Sequence, residues 1–260
     1  MRISVVIPTF NEEGNIGPLI EETFAQVPES ALGEVIAVDD GSDDETGAEI
    51  KALLGRYRRL RYLRHGHRAG QSAALRSGVL AARFAVIATM DGDGQNDPAD
   101  IMRLFGRLGR EGQEPAMAAG IRAGRKGPGS RKVASRLANS IRDRVLADGC
   151  PDTGCGIKLY RRDAFLALPF FTSMHRYLPA LFLTYGHEIA YEAVNDRPRL
   201  RGASKYTNLG RALIGLYDLV GVSWLRKRTL IPPIAEDVSG AGAAPRDAAE
   251  RQGGTGGRAQ

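Results

Sequence analysis

The chain reads as an α/β protein built on a mostly parallel, Rossmann-like sheet with helices on both faces. Short β-rich runs alternate with longer segments of helical spacing from the N-terminus to about residue 121, the pattern of a helix-covered parallel sheet. Several of the short runs are apolar without interruption, among them Ser4-Val5-Val6-Ile7 and Ala85-Val86-Ile87-Ala88, as strands buried on both faces are. With 260 residues, 43% of them hydrophobic, the chain is long enough for one large or two small domains with a real core.

The first strand is expected at 3–7, closed by Pro8, and the next four at 35–38, 60–64, 84–90 and 116–121. Helices are expected between them at 15–26, 46–56, 71–82 and 98–110. A basic stretch follows from about 121 to 146, with Gly-Pro-Gly at 127–129 marking a loop. Asp152-Thr153-Gly154-Cys155-Gly156 then leads into a short strand at 157–160, helix signals return at 163–168 and 175–185, and 187–194 alternates as a strand does. Residues 211–230 suit an amphipathic helix, its apolar run at 212–225 ending in Arg226-Lys227-Arg228. From 235 to 260 the Gly- and Ala-rich sequence has almost nothing to bury and is expected to be a disordered tail.

The formal net charge of +6 suggests an anionic partner, whether nucleic acid, an acidic membrane surface or a phosphorylated small molecule, or a generic basic surface that aids solubility. Nucleic acid is disfavoured, because the basic residues are not interleaved with aromatics as a stacking surface requires. The apolar run at 3–7 is too short for a signal peptide, which places the protein in the cytosol. Asp218 interrupts the nearest candidate for a spanning helix. In that compartment Cys150 and Cys155 are expected to be free thiols.

Ligands of such sheets bind beyond the carboxyl ends of the strands, and there the polar residues gather. Asp91-Gly92-Asp93 puts two carboxylates one residue apart at the end of a buried strand, where they can hold a hard divalent cation or form an ordinary turn. Asp39-Asp40-Gly41-Ser42 ends another strand; Asp in this position suits ribose recognition, while residues 42–46 can also cap the next helix. His65-Gly66-His67, without further ligands, reads as a loop.

Four segments together, Ile7-Pro8-Thr9-Phe10-Asn11-Glu12, Val38-Asp39-Asp40-Gly41-Ser42-Asp43-Asp44, Asp91-Gly92-Asp93-Gly94-Gln95-Asn96-Asp97-Pro98 and Arg199-Leu200-Arg201-Gly202-Ala203-Ser204-Lys205-Tyr206, resemble a family 2 glycosyltransferase of the GT-A fold. Within that family the chain is most similar to the dolichyl- or polyprenyl-phosphate mannose synthase group. The resemblance implies a catalytic domain over 1–210 and an inverting transfer of a sugar from a UDP- or GDP-linked donor to polyprenyl phosphate. It also implies peripheral attachment at the cytoplasmic membrane face. Pro8, Glu12 and Asp39 would line the nucleoside pocket with Asp40 nearby. Asp91, Asp93 and Gln95 would hold Mg²⁺ or Mn²⁺. Arg199, Ser204 and Lys205 would close over the phosphates, with Arg122 beside the diphosphate.

Glycines stand at 92 and 94 where the family commonly has Ala and an apolar residue, and Thr153-Gly154-Cys155-Gly156 departs from its Ser-Gly-Phe-Arg. A phosphate monoester is already an anion at neutral pH, its second pKa being about 6, so this acceptor needs no general base. The difficulty is charge repulsion, and Arg176, Arg199, Arg201, Lys205 and the 122–126 loop are candidate counter-charges. A hydroxyl acceptor would instead need a carboxylate base, for which Asp152 is the candidate. Trp224 suits an interfacial anchor or the core.

Overall fold

A computed structural model of the chain describes residues 1–110, 113–122, 142, 144–146, 148–198 and 208–232, with side chains of the last segment from 215. The expected tail at 235–260 and the segments 123–141 and 199–207 lie outside the described residues. The chain divides into two units, Met1–Thr229 and Leu230–Gln260.

The first unit runs β1 (Ile3–Thr9), α1 (Ile16–Gln26), β2 (Leu32–Asp39), α2 (Thr46–Leu53), β3 (Leu60–Arg64), α3 (Gln71–Ala81), β4 (Val86–Thr89), α4 (Asp100–Phe105) and β5 (Met117–Arg122). It continues with β6 (Lys158–Arg161), α5 (Arg162–Leu166), a 3₁₀ turn (Met174–Arg176), α6 (Leu178–Thr184), β7 (Ile189–Val194) and α7 (Asn208–Arg228). The seven strands form one sheet in the order β3-β2-β1-β4-β6-β5-β7. Each described pairing is parallel except the two made by β6, which runs against both β4 and β5.

Successive strand residues point to opposite faces, and both faces are covered. Val6, Ile36, Val38, Ile87 and Tyr160 pack under α3, α5, α6 and α7. Ile3, Val5, Ile7, Val35, Ala37 and Leu159 pack under α1, α2 and α4. That double burial is why β1 and β2 read as unbroken apolar runs.

Several element ends differ from expectation. The 98–110 helix is confined to Asp100–Phe105, and the expected 175–185 helix is split at Tyr177, after which α6 starts with Pro179 in its first turn. Pro lacks the N–H that a continuous helix would need there. The helix expected at 211–230 starts earlier, at Asn208.

At the end of the sheet opposite the candidate site, Glu34 of β2 is 2% exposed. Its carboxylate accepts hydrogen bonds from the Ser4 hydroxyl (2.8 Å), the Arg61 guanidinium (2.8 Å) and the Arg83 N–H (2.7 Å), joining β1, β2, β3 and the entry to β4. Burial alone would raise this carboxyl, but those three donors outweigh it and hold it below the ordinary value of 4.5. A depressed folded-state pKa contributes stability that is present above the unfolded value and lost as pH falls through the folded one. Glu34→Gln is therefore expected to cost about 1–3 kcal/mol at neutral pH, measured by urea denaturation. The gap to the wild type should narrow as pH falls below 4.5; a gap independent of pH would refute the assignment.

Candidate active site

The carboxyl ends of β1, β2 and β4 open on one rim. After β1 the chain turns at Asn11, whose φ of 53° is left-handed, and is bonded to the loop after β2. The Asn11 N–H donates to the Ser42 hydroxyl (3.0 Å), and the Glu12 N–H to the Thr46 hydroxyl (2.8 Å). Ser42 thus serves the first loop, and it is Asp44 that receives the Thr46 N–H at the start of α2 (3.0 Å). Pro8 is buried and Glu12 half-buried, the Glu12 carboxylate accepting from the Asn15 amide at 2.9 Å.

Asp39 and Asp40 are 1% and 3% exposed, and both are extensively bonded. Asp39 accepts from the Tyr62 hydroxyl (2.7 Å) and the Ser42 N–H (2.8 Å). Burial, followed by the Asp39 charge, pushes the Tyr62 phenol up to about 12. Asp40 accepts from the N–H groups of Ala69 (2.9 Å) and Gly70 (2.6 Å), and lies 2.7 Å from His65 Nδ1. His65 in turn reaches the Ser77 hydroxyl at 2.9 Å, so His65-Gly66-His67 is a loop fastened to Asp40, as its sequence suggests.

The acids after β4 are placed differently. Asp91 is half-buried, its Oδ1 accepting from the Gln71 amide (2.7 Å) and its N–H donating to Asn96 (2.9 Å). Asp93 accepts the Gln95 N–H at 3.1 Å, and the Gln95 amide donates to the Arg197 carbonyl at 3.3 Å. Packing around Asp91, then the charge of Asp93, push its carboxyl up to about 6, against the pull of Lys158, Gln71 and Arg122. A Cβ on Gly156 would stand 2.3 Å from Asp91 Oδ2, so that glycine keeps the carboxylate accessible. Two carboxylates one residue apart, beside an amide and an opening only glycine allows, fit a hard divalent cation. No larger His, Cys, Asp and Glu cluster occurs among the described residues, a partial ligand set of the kind Mg²⁺ takes when phosphates complete its shell. Gly94, at φ +74°, occupies a left-handed position. A Cβ at Gly92 would lie 3.0–3.2 Å from Thr9 and Pro8.

Arg122 closes β5 and forms a bidentate pair with Asp152, both bonds 2.7 Å. That hydrogen bonding holds its guanidinium further above the ordinary range. Arg199, Ser204 and Lys205 lie outside the described residues. Cys150 and Cys155 are free thiols, as expected, and burial pushes Cys155 up to about 11, away from nucleophilic reactivity.

Beside Asp91 lies a cavity of about 410 Å³, lined by Gln71, Ser72, Lys158, Thr172, His175 and Arg176 among others. Arg176 is thus a cavity residue on the 3₁₀ turn. Burial, then the charges of Arg176 and Lys158, push His175 down to about 3, so the ring is neutral. Ser72 Oγ accepts the His175 N–H (3.2 Å) and lies 2.8 Å from Nδ1. Gln71, Ser72 and Lys158 were not singled out from the sequence, and Gly156 only as part of the departure at 153–156. Their one signal was a lysine in the apolar strand at 157–160.

Comparison with known proteins agrees with this geometry. The profile of glycosyl transferase family 2 matches residues 4–168. The chain is 36% identical over 232 residues to the dodecaprenyl-phosphate galacturonate synthase of Rhizobium johnstonii, spanning 87% of this chain and 68% of that protein. It is 29% identical to the undecaprenyl-phosphate 4-deoxy-4-formamido-L-arabinose transferase of Sodalis glossinidius, spanning 84% of this chain and 67% of that one. Its fold matches that of Mycobacterium tuberculosis glucosyl-3-phosphoglycerate synthase, solved with Mn²⁺, UDP and glucosyl-3-phosphoglycerate, at a TM-score of 0.66 and 20% identity over 86% of this chain and 79% of that one. The α/β architecture expected of a GT-A enzyme is the one found, and the chain belongs to glycosyl transferase family 2, a family of glycosyltransferases.

Proposed function

We propose that the chain transfers a glycosyl group, with inversion, from a UDP- or GDP-linked donor to the phosphate of a polyprenyl lipid. The observation that carries this reading is the acid pair Asp91 and Asp93, of which Asp91 lines a cavity that also holds Lys158 and Arg176, in a chain 36% identical to a polyprenyl-phosphate sugar synthase.

Asp91 and Asp93, with Gln95, would hold Mg²⁺ or Mn²⁺; the ion supplies charge neutralisation to the departing diphosphate. Pro8, Glu12, Asp39 and Asp40 shape the wall for the nucleoside. By the family resemblance Arg122 would stand beside the diphosphate, and Arg199, Ser204 and Lys205, outside the described residues, would close over the phosphates. A phosphate acceptor enters as its own nucleophile and needs no proton removed. The described site suits that economy, since burial holds His175 down to about 3, too weak a base to take a proton from a hydroxyl, and the Asp152 carboxylate is engaged by Arg122. The same engagement argues against Asp152 as the base for a hydroxyl acceptor.

The lipid partner also accounts for α7. Leu219 and Val222 are buried, while Leu216, Tyr217, Val220 and Trp224 are exposed on one side, within about 100° of arc at 3.6 residues per turn. Arg226, Lys227 and Arg228 fill its last turn. No described helix is long and apolar enough to cross a membrane. We infer peripheral attachment to the cytoplasmic face of an anionic bilayer, with Trp224 outside the core as its anchor.

Incubation with Mn²⁺, labelled UDP- and GDP-sugars and undecaprenyl phosphate should move label into the lipid phase for one nucleoside. EDTA should abolish it, Asp93→Ala should lower it at least about 100-fold and Gly156→Ala about 10–100-fold through the displaced Asp91. Full activity in Asp93→Ala would sink the metal assignment, and transfer to free alcohols alone would sink the acceptor. In flotation assays the protein should rise with phosphatidylglycerol vesicles and less with neutral ones. Val220→Asp with Trp224→Asp should leave it at the bottom; unaltered flotation of that double variant would remove α7 from the membrane.

A further inference from the structure

Lys158 is the first residue of β6 and 5% exposed. Its ammonium donates to the Cys155 carbonyl, and among the described residues it forms no ion pair, although Asp91 is near enough to feel its charge. A buried charge is costly unless it is paired, and this one lines the cavity. Around it the cavity presents Arg176, the ring of His175 and the hydroxyl of Thr172, while Asp91 is the one acid among the described lining residues. Such walls carry two cations, Lys158 and Arg176, against one acid. A neutral sugar brings hydroxyls that both donate and accept; a carboxylate only accepts.

Position assigns the occupant. With the diphosphate at Asp91 and Asp93, the sugar is the next group along the donor, and the cavity is the space that borders Asp91 on the side of Gly156 and Lys158. We propose that this cavity holds the donor sugar and that Lys158, with Arg176, binds a carboxylate on it, so that the sugar transferred is a uronate. The proposal rests on the reading of the chain as a nucleotide-sugar transferase and deepens it by naming the sugar class. The acceptor phosphate is the other oxyanion that could meet Lys158, and the test separates the two.

Donor binding is measured by calorimetry with Mn²⁺ and no acceptor, comparing UDP-galacturonate with UDP-galactose, or GDP-mannuronate with GDP-mannose if guanosine is the base. The wild type should prefer the uronate by about 10-fold or more, the worth of one charge-assisted contact. Lys158→Gln should erase that preference and Lys158→Arg retain it. Arg176→Gln, on the half-buried turn, should narrow it even if the Lys158 variants fold poorly. Equal wild-type affinity for both sugars overturns the proposal, as does an equal loss for both in Lys158→Gln, which would make Lys158 a partner of Asp91 alone. Unchanged donor binding with a raised KM for polyprenyl phosphate would give the oxyanion to the acceptor and overturn it too. A uronate preference without any transfer to lipid would leave the subsite standing and sink only the acceptor assignment.

Discussion

Packing several carboxylates into one rim of a low-dielectric sheet is the constraint on which the rest of the site depends. Each buried charge must be hydrogen-bonded or paired, and the chain answers this in two ways. Asp39 and Asp40 are bonded from within by Tyr62, Ser42, His65 and two backbone N–H groups. Those bonds fasten the loops after β2 and β3 into a wall. Asp91 is held differently: it accepts an amide from Gln71 and faces the repulsion of Asp93, against the pull of Lys158 and Arg122. The first pair is fastened into the wall, and the second stands where a cation would relieve its mutual repulsion.

Gly156 makes the second arrangement possible. It precedes β6, which enters the sheet between β4 and β5, and any side chain there would strike the Asp91 carboxylate. The site's acidity therefore depends on a strand that contributes no acid. The bidentate pair of Arg122 and Asp152 acts alongside it, fastening the end of β5 to the segment that leads into β6.

The strands and their ends were legible because a parallel strand buried on both faces must be apolar along its whole length, and the polar residue that stops the run marks the rim. Val35-Ile36-Ala37-Val38 followed by Asp39-Asp40 shows this directly. Helix ends were less legible, since Pro179 acts through a missing N–H and the apolar spacing of 175–185 does not register it. The cavity was least legible. Ser72, Lys158 and His175 come from three distant segments, and each looks ordinary beside its own neighbours. Of these, Lys158 alone stands out locally, a buried charge next to the buried Leu159 and Tyr160.

The reversed direction of β6 ties these features together. A parallel strand in that place would present its last residue at the rim and its first at the far end of the sheet. Running against β4 and β5, β6 instead brings its first residue, Lys158, level with Thr89 at the end of β4. Acid and cation then stand on adjacent strands around one cavity, Asp91 beyond the end of one and Lys158 at the start of the other. Opposite charges placed there moderate each other when the cavity is empty, and a donor that brings a cation to one and an oxyanion to the other can satisfy both. The topology of the sheet thus sets the polarity of the pocket.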